Sequence, residues 1–197
     1  CNDHKEIGII LRLKGLYNLM VGNYYLAEKL LTESISTLTI TETVAKRYAT
    51  NVAAAYCYIG EIRQAEEDYP EALALFQKAI SLCTGQNVSS SLSYFYINAG
   101  KTAYFMESFS AAKSYFEQAY ALYGQFDSFW RRPVLDAYMA LVLMQEGQYE
   151  NAKWCLSSAQ NSAGKIKDPS ELGTVLFAEA LIRQMADRDE EVGAVFA

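Results

Sequence analysis

The stretch ESFSAAKSYFEQA, residues 107–119, decides the fold. Phe109, Ala112, Phe116 and Ala119 stand at i, i+3, i+7 and i+10, which places all four on one stripe of a helix. The same pattern recurs as Gly22-Tyr24-Ala27-Leu31-Ser34, Glu67-Tyr69-Ala72-Phe76-Ala79 and Gly147-Tyr149-Ala152-Leu156-Ala159. Its alanines lie at 27, 72, 112 and 152, so the intervals are 45, 40 and 40 residues. A period of that size marks a solenoid of stacked units.

Upstream of each stripe lies a second apolar segment of helical period. It carries a small residue seven positions before the core begins: Gly15, Gly60, Gly100 and Ala140. Glycine inside a helix costs roughly 1 kcal/mol and needs a packing reason, here the close crossing of two helices. Each unit is therefore read as a helical pair. Asn23, Asp68 and Ser108 are favourable N-caps for the second helices, with Gln148 in the fourth place, and Asp68 has Glu71 three residues on as a capping box. Pro70, Pro133 and Pro169 mark helix starts, where a missing N–H costs nothing. The extra residues of the first interval are assigned to a linker, Thr39-Ile40-Thr41-Glu42-Thr43, in which Thr41 or Thr43 caps the next helix. Glycines end helices at Thr84-Gly85-Gln86-Asn87, Gly124-Gln125-Phe126-Asp127 and Ser162-Ala163-Gly164-Lys165. A fifth unit starts with a helix over 169–186, and its second helix is cut short. The expected organisation is a single repeat domain, 1–197, with units near 6–40, 44–84, 88–124, 128–163 and a partial 168–197.

Composition narrows the function classes. A 51% hydrophobic, 20% charged chain is folded, and its apolar stretches are too short for the ~20 residues a bilayer crossing needs. With a net charge of −6 and only Lys46-Arg47 and Arg131-Arg132 as basic pairs, it is a poor partner for nucleic acid. Cys1, Cys57, Cys83 and Cys155 share no C-x-x-C and only one histidine, His4, which argues against zinc and fits a reducing cytoplasm. The absence of an initiator Met suggests a piece of a longer protein. No Ser-His-Asp set and no phosphate loop are available, so neither enzymatic activity nor a cofactor is expected.

The spacing of small residue, seven-residue step, Gly-x-aromatic, Ala, aromatic and Ala resembles the tetratricopeptide repeat, over about Glu6 to Ala197. The family's first-helix aromatic appears as Tyr56 and Tyr96 but is Leu11 and Asp136 in the other two units, and its usual proline after the second helix is missing. The long period is similar to the MalT-like repeats of bacterial signalling and transcription regulators. The resemblance implies an all-α, right-handed superhelix of antiparallel hairpins that binds a protein or peptide in a groove lined by first helices. Nine residues are placed in that groove: Arg12, Leu16, Tyr58, Glu61, Tyr94, Asn98, Lys101, Tyr138 and Leu141.

Asn98 and Lys101, one helical turn apart, stand either as a polar pair for a peptide or as an Asn satisfied by a neighbouring helix beside a solvated Lys. Phe126, Phe129 and Trp130 are either an exposed patch or a plug over helix ends. The expected role is the sensor or docking part of a larger cytoplasmic bacterial regulator. An assembly scaffold, a receptor for a short signalling peptide or small apolar ligand, and self-association stay open. Neither nucleic acid nor membrane is expected as a direct partner.

Overall fold

The computed structural model describes residues 3–85, 88–123, 131–188 and 190–196. Among these the secondary structure is helical throughout, with no strand: α1 (Asp3–Met20), α2 (Tyr24–Leu38), α3 (Glu42–Arg47), α4 (Ala49–Ala65), α5 (Tyr69–Cys83), α6 (Ser89–Phe105), α7 (Phe109–Tyr123), α8 (Arg132–Gln145), α9 (Tyr149–Ile166), α10 (Pro169–Ala186) and α11 (Glu190–Phe196). The architecture is the expected α-solenoid of antiparallel hairpins. The chain divides into two compact units, Cys1–Thr102 and Ala103–Ala197.

Four hairpin turns are built alike. Gly22, Glu67, Glu107 and Gly147 each take a left-handed φ, between 57° and 78°. Asn23, Asp68, Ser108 and Gln148 then donate their backbone N–H five residues back, to the carbonyls of Asn18, Arg63, Ala103 and Leu143, at 2.8–2.9 Å. That pairing is a Schellman motif, which satisfies carbonyls that the end of the first helix leaves without partners. Asn23 and Asp68 also cap their helices through side-chain oxygens, while Gln148 makes no such bond.

In the first unit, α1 packs on α2 and α4 on α5, and α4 lies against α2 and α1. The glycine argument holds at Gly15 and Gly60. A Cβ at Gly15 would stand 2.6 Å from Leu31 Cγ, and one at Gly60 would stand 2.7 Å from the Phe76 ring. Ala27, Leu31, Ala55, Ile59 and Ile62 form a buried cluster where α4 meets the first hairpin. Ser34 Oγ donates to Gly8 O at 2.7 Å, a buried bond between α2 and α1. Arg63 gathers Glu28 of α2, Glu66 at 2.7 Å and Glu71 of α5 at 3.0 Å. Burial works against its charge, but the hydrogen bonds it donates to Glu28 and Glu66 outweigh it and raise its pKa.

The longer first interval is more than a linker. Thr41 accepts from Val44 N at 3.3 Å and opens the short helix α3, after which the chain re-enters a helix at Ala49.

In the second unit, α8 is enclosed on every side: residues 133–144 are all buried, with α7, α9 and α10 around it. Such a helix should be apolar all round, yet Asp136 is fully buried in it. Its carboxylate accepts from Tyr120 Oη at 2.6 Å, Arg132 Nε at 2.8 Å and Ser158 Oγ at 2.6 Å. One side chain thus ties α7, α8 and α9 together. The Arg132 guanidinium lies 4.9 Å from the centre of the Tyr120 ring. Burial first, and the Asp136 carboxylate second, push the Tyr120 phenol far up and the Cys155 thiol up to about 11. Pro133 and Pro169 sit in the first turns of α8 and α10, as expected. At the start of α10, Asp168 caps Ser170 and Glu171, and the buried Glu171 accepts from the Arg131 backbone N–H at 2.9 Å.

Candidate functional site

The first helices of the first unit, α1, α4 and α6 up to Thr102, bring most of the candidate residues together. Ile9, Ala54 and Tyr94 share one register position, Leu13, Tyr58 and Asn98 the next, and Leu16, Glu61 and Lys101 a third, by the 45- and 40-residue steps. Helices repeat their faces when packing repeats, so residues at equal register line up across neighbouring units.

From α1, Arg12 Nε donates to Asn51 Oδ1 at 3.2 Å, and its guanidinium also bonds the Tyr58 hydroxyl, both on α4. Burial raises the Tyr58 phenol despite that cation. One turn on, Glu61 accepts from Tyr94 Oη of α6 at 2.6 Å. Beneath it Cys57 is fully buried, its Sγ 3.8 Å from Glu61 Oε1 and 3.7 Å from Asn98 Nδ2. Burial, and after it the Glu61 carboxylate, hold the Cys57 thiol well above its usual range. A thiol kept protonated in this way is a poor nucleophile. Farther along, Gln64 Nε2 donates to Thr102 Oγ1 at 2.9 Å, and Thr102 Oγ1 donates to Asn98 O.

The polar residues of this face are therefore linked across three helices. Arg12, Leu16, Tyr58, Glu61, Tyr94 and Lys101 are all half-buried, neither in the core nor fully in water. Asn98 is 4% exposed and bonded to α4, which is the second of the two readings open for it. Lys101 is close enough to Cys57 to favour the thiolate by its charge.

The two candidates from the second unit are placed differently. Tyr138 is 5% exposed and meets the rings of Tyr104, Phe105 and Phe116 at 5.8–6.3 Å. Leu141 is 1% exposed. Both lie in the packed interior of that unit, so neither offers surface to a ligand, and the groove reading is corrected there. The physical reason is that α8 is buried along its whole length, with the rings of Tyr104, Phe105 and Phe116 closed over Tyr138.

The network around Asp136 is not marked as a site by the sequence. Its only sign there is an acid in a position that is aromatic in two other units, Tyr56 and Tyr96. Phe126, Phe129, Trp130 and Cys1 lie outside the described residues, as do the side chains of His4, Glu190 and Glu191. Among the described residues, no group of three or more His, Cys, Asp or Glu stands close enough to hold a metal ion. Among the same residues, no helix is long and apolar enough to cross a membrane.

Comparison with known proteins agrees with this geometry. Residues 51–125 match the tetratricopeptide repeat family, so this stretch consists of tetratricopeptide repeats. The structure superimposes on aspartyl phosphate phosphatase F from Bacillus subtilis with a TM-score of 0.77 and 16% identity, covering 98% of this chain and 49% of that one. It is also similar to the TPR-like repeats of a putative kinesin light chain from Podosopora anserina, with a TM-score of 0.61 and 16% identity over 95% of this chain and 93% of the other. At that identity the likeness shows the fold. The chain spans about half the length of the phosphatase chain it matches. No curated protein matches it in sequence. Tetratricopeptide repeats generally bind proteins or peptides, and the family matched over residues 51–125 is a repeat and not a catalytic domain.

Proposed function

We propose that the chain is the docking or sensor part of a larger bacterial signalling or transcription-regulatory protein. In this reading it receives a peptide segment on the first-helix face of the unit Cys1–Thr102. One observation carries the proposal: Arg12 bonds Tyr58 between α1 and α4, Tyr94 bonds Glu61 between α6 and α4, and all four side chains remain half-buried. Side chains held in place before a ligand arrives lose little freedom on binding, which is the gain from a pre-formed groove. Tyrosine suits such a surface, since it combines a large ring with one polar tip. Lys101 places a cation beside that line, within electrostatic reach of Cys57.

The fold likeness supports binding over any one chemistry, because the same architecture is found in a protein named as an aspartyl phosphate phosphatase and in a kinesin light chain. A net charge of −6 argues for a protein partner over nucleic acid. A cytoplasmic setting fits Cys57, Cys83 and Cys155, which are buried and free.

The test is selection of linear peptides from a random display library on the immobilised chain, followed by affinity measurement on Tyr94→Ala and Lys101→Glu. Selected peptides should lose at least about tenfold in affinity on either variant. Equal binding to wild type and both variants would remove the groove from consideration. The regulatory setting is tested separately, by whether the parent polypeptide carries a DNA-binding or other effector domain beside the repeats.

A further inference from the structure

Glu171 stands three residues after Asp168, the N-cap of α10, and a glutamate at that place normally turns back to the cap's own backbone N–H in a capping box. Asp168 does its part, accepting from the N–H groups of Ser170 and Glu171. The Glu171 carboxylate goes elsewhere. Its Oε1 accepts from the backbone N–H of Arg131, 40 residues upstream, at 2.9 Å. The residue is 1% exposed, and its Oε2 is buried with no hydrogen-bond partner. Asp136, the other fully buried acid among the described residues, accepts three hydrogen bonds. A buried charge with so little to offset its lost hydration is costly.

The residue at the other end of this bond is also under strain. Arg131 takes a left-handed φ of 63°, which is unfavourable for a side chain with a Cβ. It is the N-cap of α8, and its carbonyl accepts from the Leu135 N–H at 3.1 Å. Such a backbone persists only where its surroundings hold it, and Glu171 supplies a hold from α10. The start of α8 is thus fixed by a bond whose acceptor is poorly placed to carry charge.

The charged groups around Glu171 divide. From the entry of α8, Arg131 favours the anion through its N–H and its charge, while Arg132 beside it is engaged by Asp136. From α10 itself, the N-terminal dipole favours the anion and Asp168 opposes it. The last turn of α9 and its cap carry Lys165 and Lys167, both exposed. Helix α11 meets α10 at Ala186, about 22 Å away along that helix. Burial is the largest influence and pushes the Glu171 carboxyl up.

We propose that Glu171 is a proton-operated clasp: protonated, it stays in the interior and holds Arg131 at the entry of α8, and ionised, it is drawn toward water and releases that N–H. An opened Glu171 ionises near the ordinary glutamate value, about 4.3, whereas the closed form keeps its proton to higher pH. Closure is therefore fully favoured below about pH 4.3 and weakens as pH rises through the window between the two values, by at most about tenfold per pH unit. The clasp lies within the unit Ala103–Ala197. The peptide reading concerns the other unit, so each stands or falls on its own.

The experiment is carried out on the full chain by NMR. The Glu171 side-chain carboxyl carbon is titrated, and amide hydrogen exchange at Arg131 is followed from about pH 5 to about pH 8 in wild type and Glu171→Gln. The carboxyl should titrate above the ordinary range. Protection of the Arg131 N–H, corrected for intrinsic exchange, should fall at least about fivefold over that span in wild type and less than about twofold in Glu171→Gln, whose amide oxygen accepts the same bond at every pH. An ordinary carboxyl midpoint overturns the proposal. So does protection that is flat in wild type, or equally pH-dependent in Glu171→Gln. The carboxyl midpoint and the wild-type exchange profile need no variant, so they decide the matter even where Glu171→Gln folds poorly.

Discussion

Truncating Asp136 should unfold the second unit well before its packing alone would predict. The carboxylate is fully buried and accepts three hydrogen bonds, from Tyr120, Arg132 and Ser158. Asp136→Ala leaves a phenol and a hydroxyl without their acceptor in the interior and frees a guanidinium. Removing one partner of a buried ion pair costs roughly 3–5 kcal/mol. The Arg132 side chain is 28% exposed, so it can turn to water once released. The expected loss therefore sits at the low end, about 3 kcal/mol, or roughly 6–12 °C in melting temperature for a chain of this size. Asp136→Asn keeps the volume and one acceptor oxygen but loses the charge-assisted strength of the three bonds, so its cost should be about half as large. The measurement is urea unfolding followed by far-UV circular dichroism, with wild type, Asn and Ala compared at pH 7. An Ala variant within about 1 kcal/mol of wild type, or an Asn variant as damaged as Ala, would refute the view that this carboxylate holds α7, α8 and α9 together.

Three further outcomes follow from the same geometry. Tyr120 keeps its proton in the folded chain at a pH where the unfolded chain, with a phenol pKa near 10, releases it; stability should fall as pH rises above about 10, and less steeply in Tyr120→Phe, as read from melting temperatures between about pH 8 and 11. Glu107 occupies a left-handed turn position that glycine takes in two sister turns, so Glu107→Gly should raise stability by about 0.5–1 kcal/mol in denaturant titration, and a loss would show that the Glu side chain matters there. Gly60→Ala places a Cβ against the Phe76 ring, 2.7 Å away, and should cost about 1–3 kcal/mol in the same assay, whereas Gly164→Ala, with nothing within 4 Å, should be neutral or stabilising.

The hairpins were legible because their signals are local and repeated. Ala27, Ala72, Ala112 and Ala152 recur in register, all are fully buried, and Gly15 and Gly60 stand where second helices come close. The prolines and Asp68 marked helix starts for reasons confined to a few residues. Helix α3 was hidden because Thr39–Thr43 reads as a break, and a six-residue helix has too few positions for any period to show. Arg12, Tyr58, Glu61, Tyr94 and Asn98 could be brought together from register alone, since repeats carry equal positions to equal faces. Tyr138 and Leu141 could not be told apart from them, because register does not say which side chains close over a position, and the rings of Tyr104, Phe105 and Phe116 close over Tyr138. The Asp136 network was the least legible element. Its partners lie 16 and 22 residues away on other helices, and a lone acid in an apolar stretch carries no mark of what it will meet.

The four left-handed turns have a consequence for how such a chain can change. Each closes its hairpin with the same two backbone bonds and needs nothing from the side chain at that place, since Gly and Glu both serve. The span from one turn to the next is thus a module with identical ends. A segment running from Glu67 to Glu107, or from Glu107 to Gly147, is 40 residues in either case, and duplicating or deleting one would rejoin the chain with every remaining turn intact. Length in this architecture varies in whole modules, and a gain or loss of that size is a smaller disturbance than a single residue inserted within a helix.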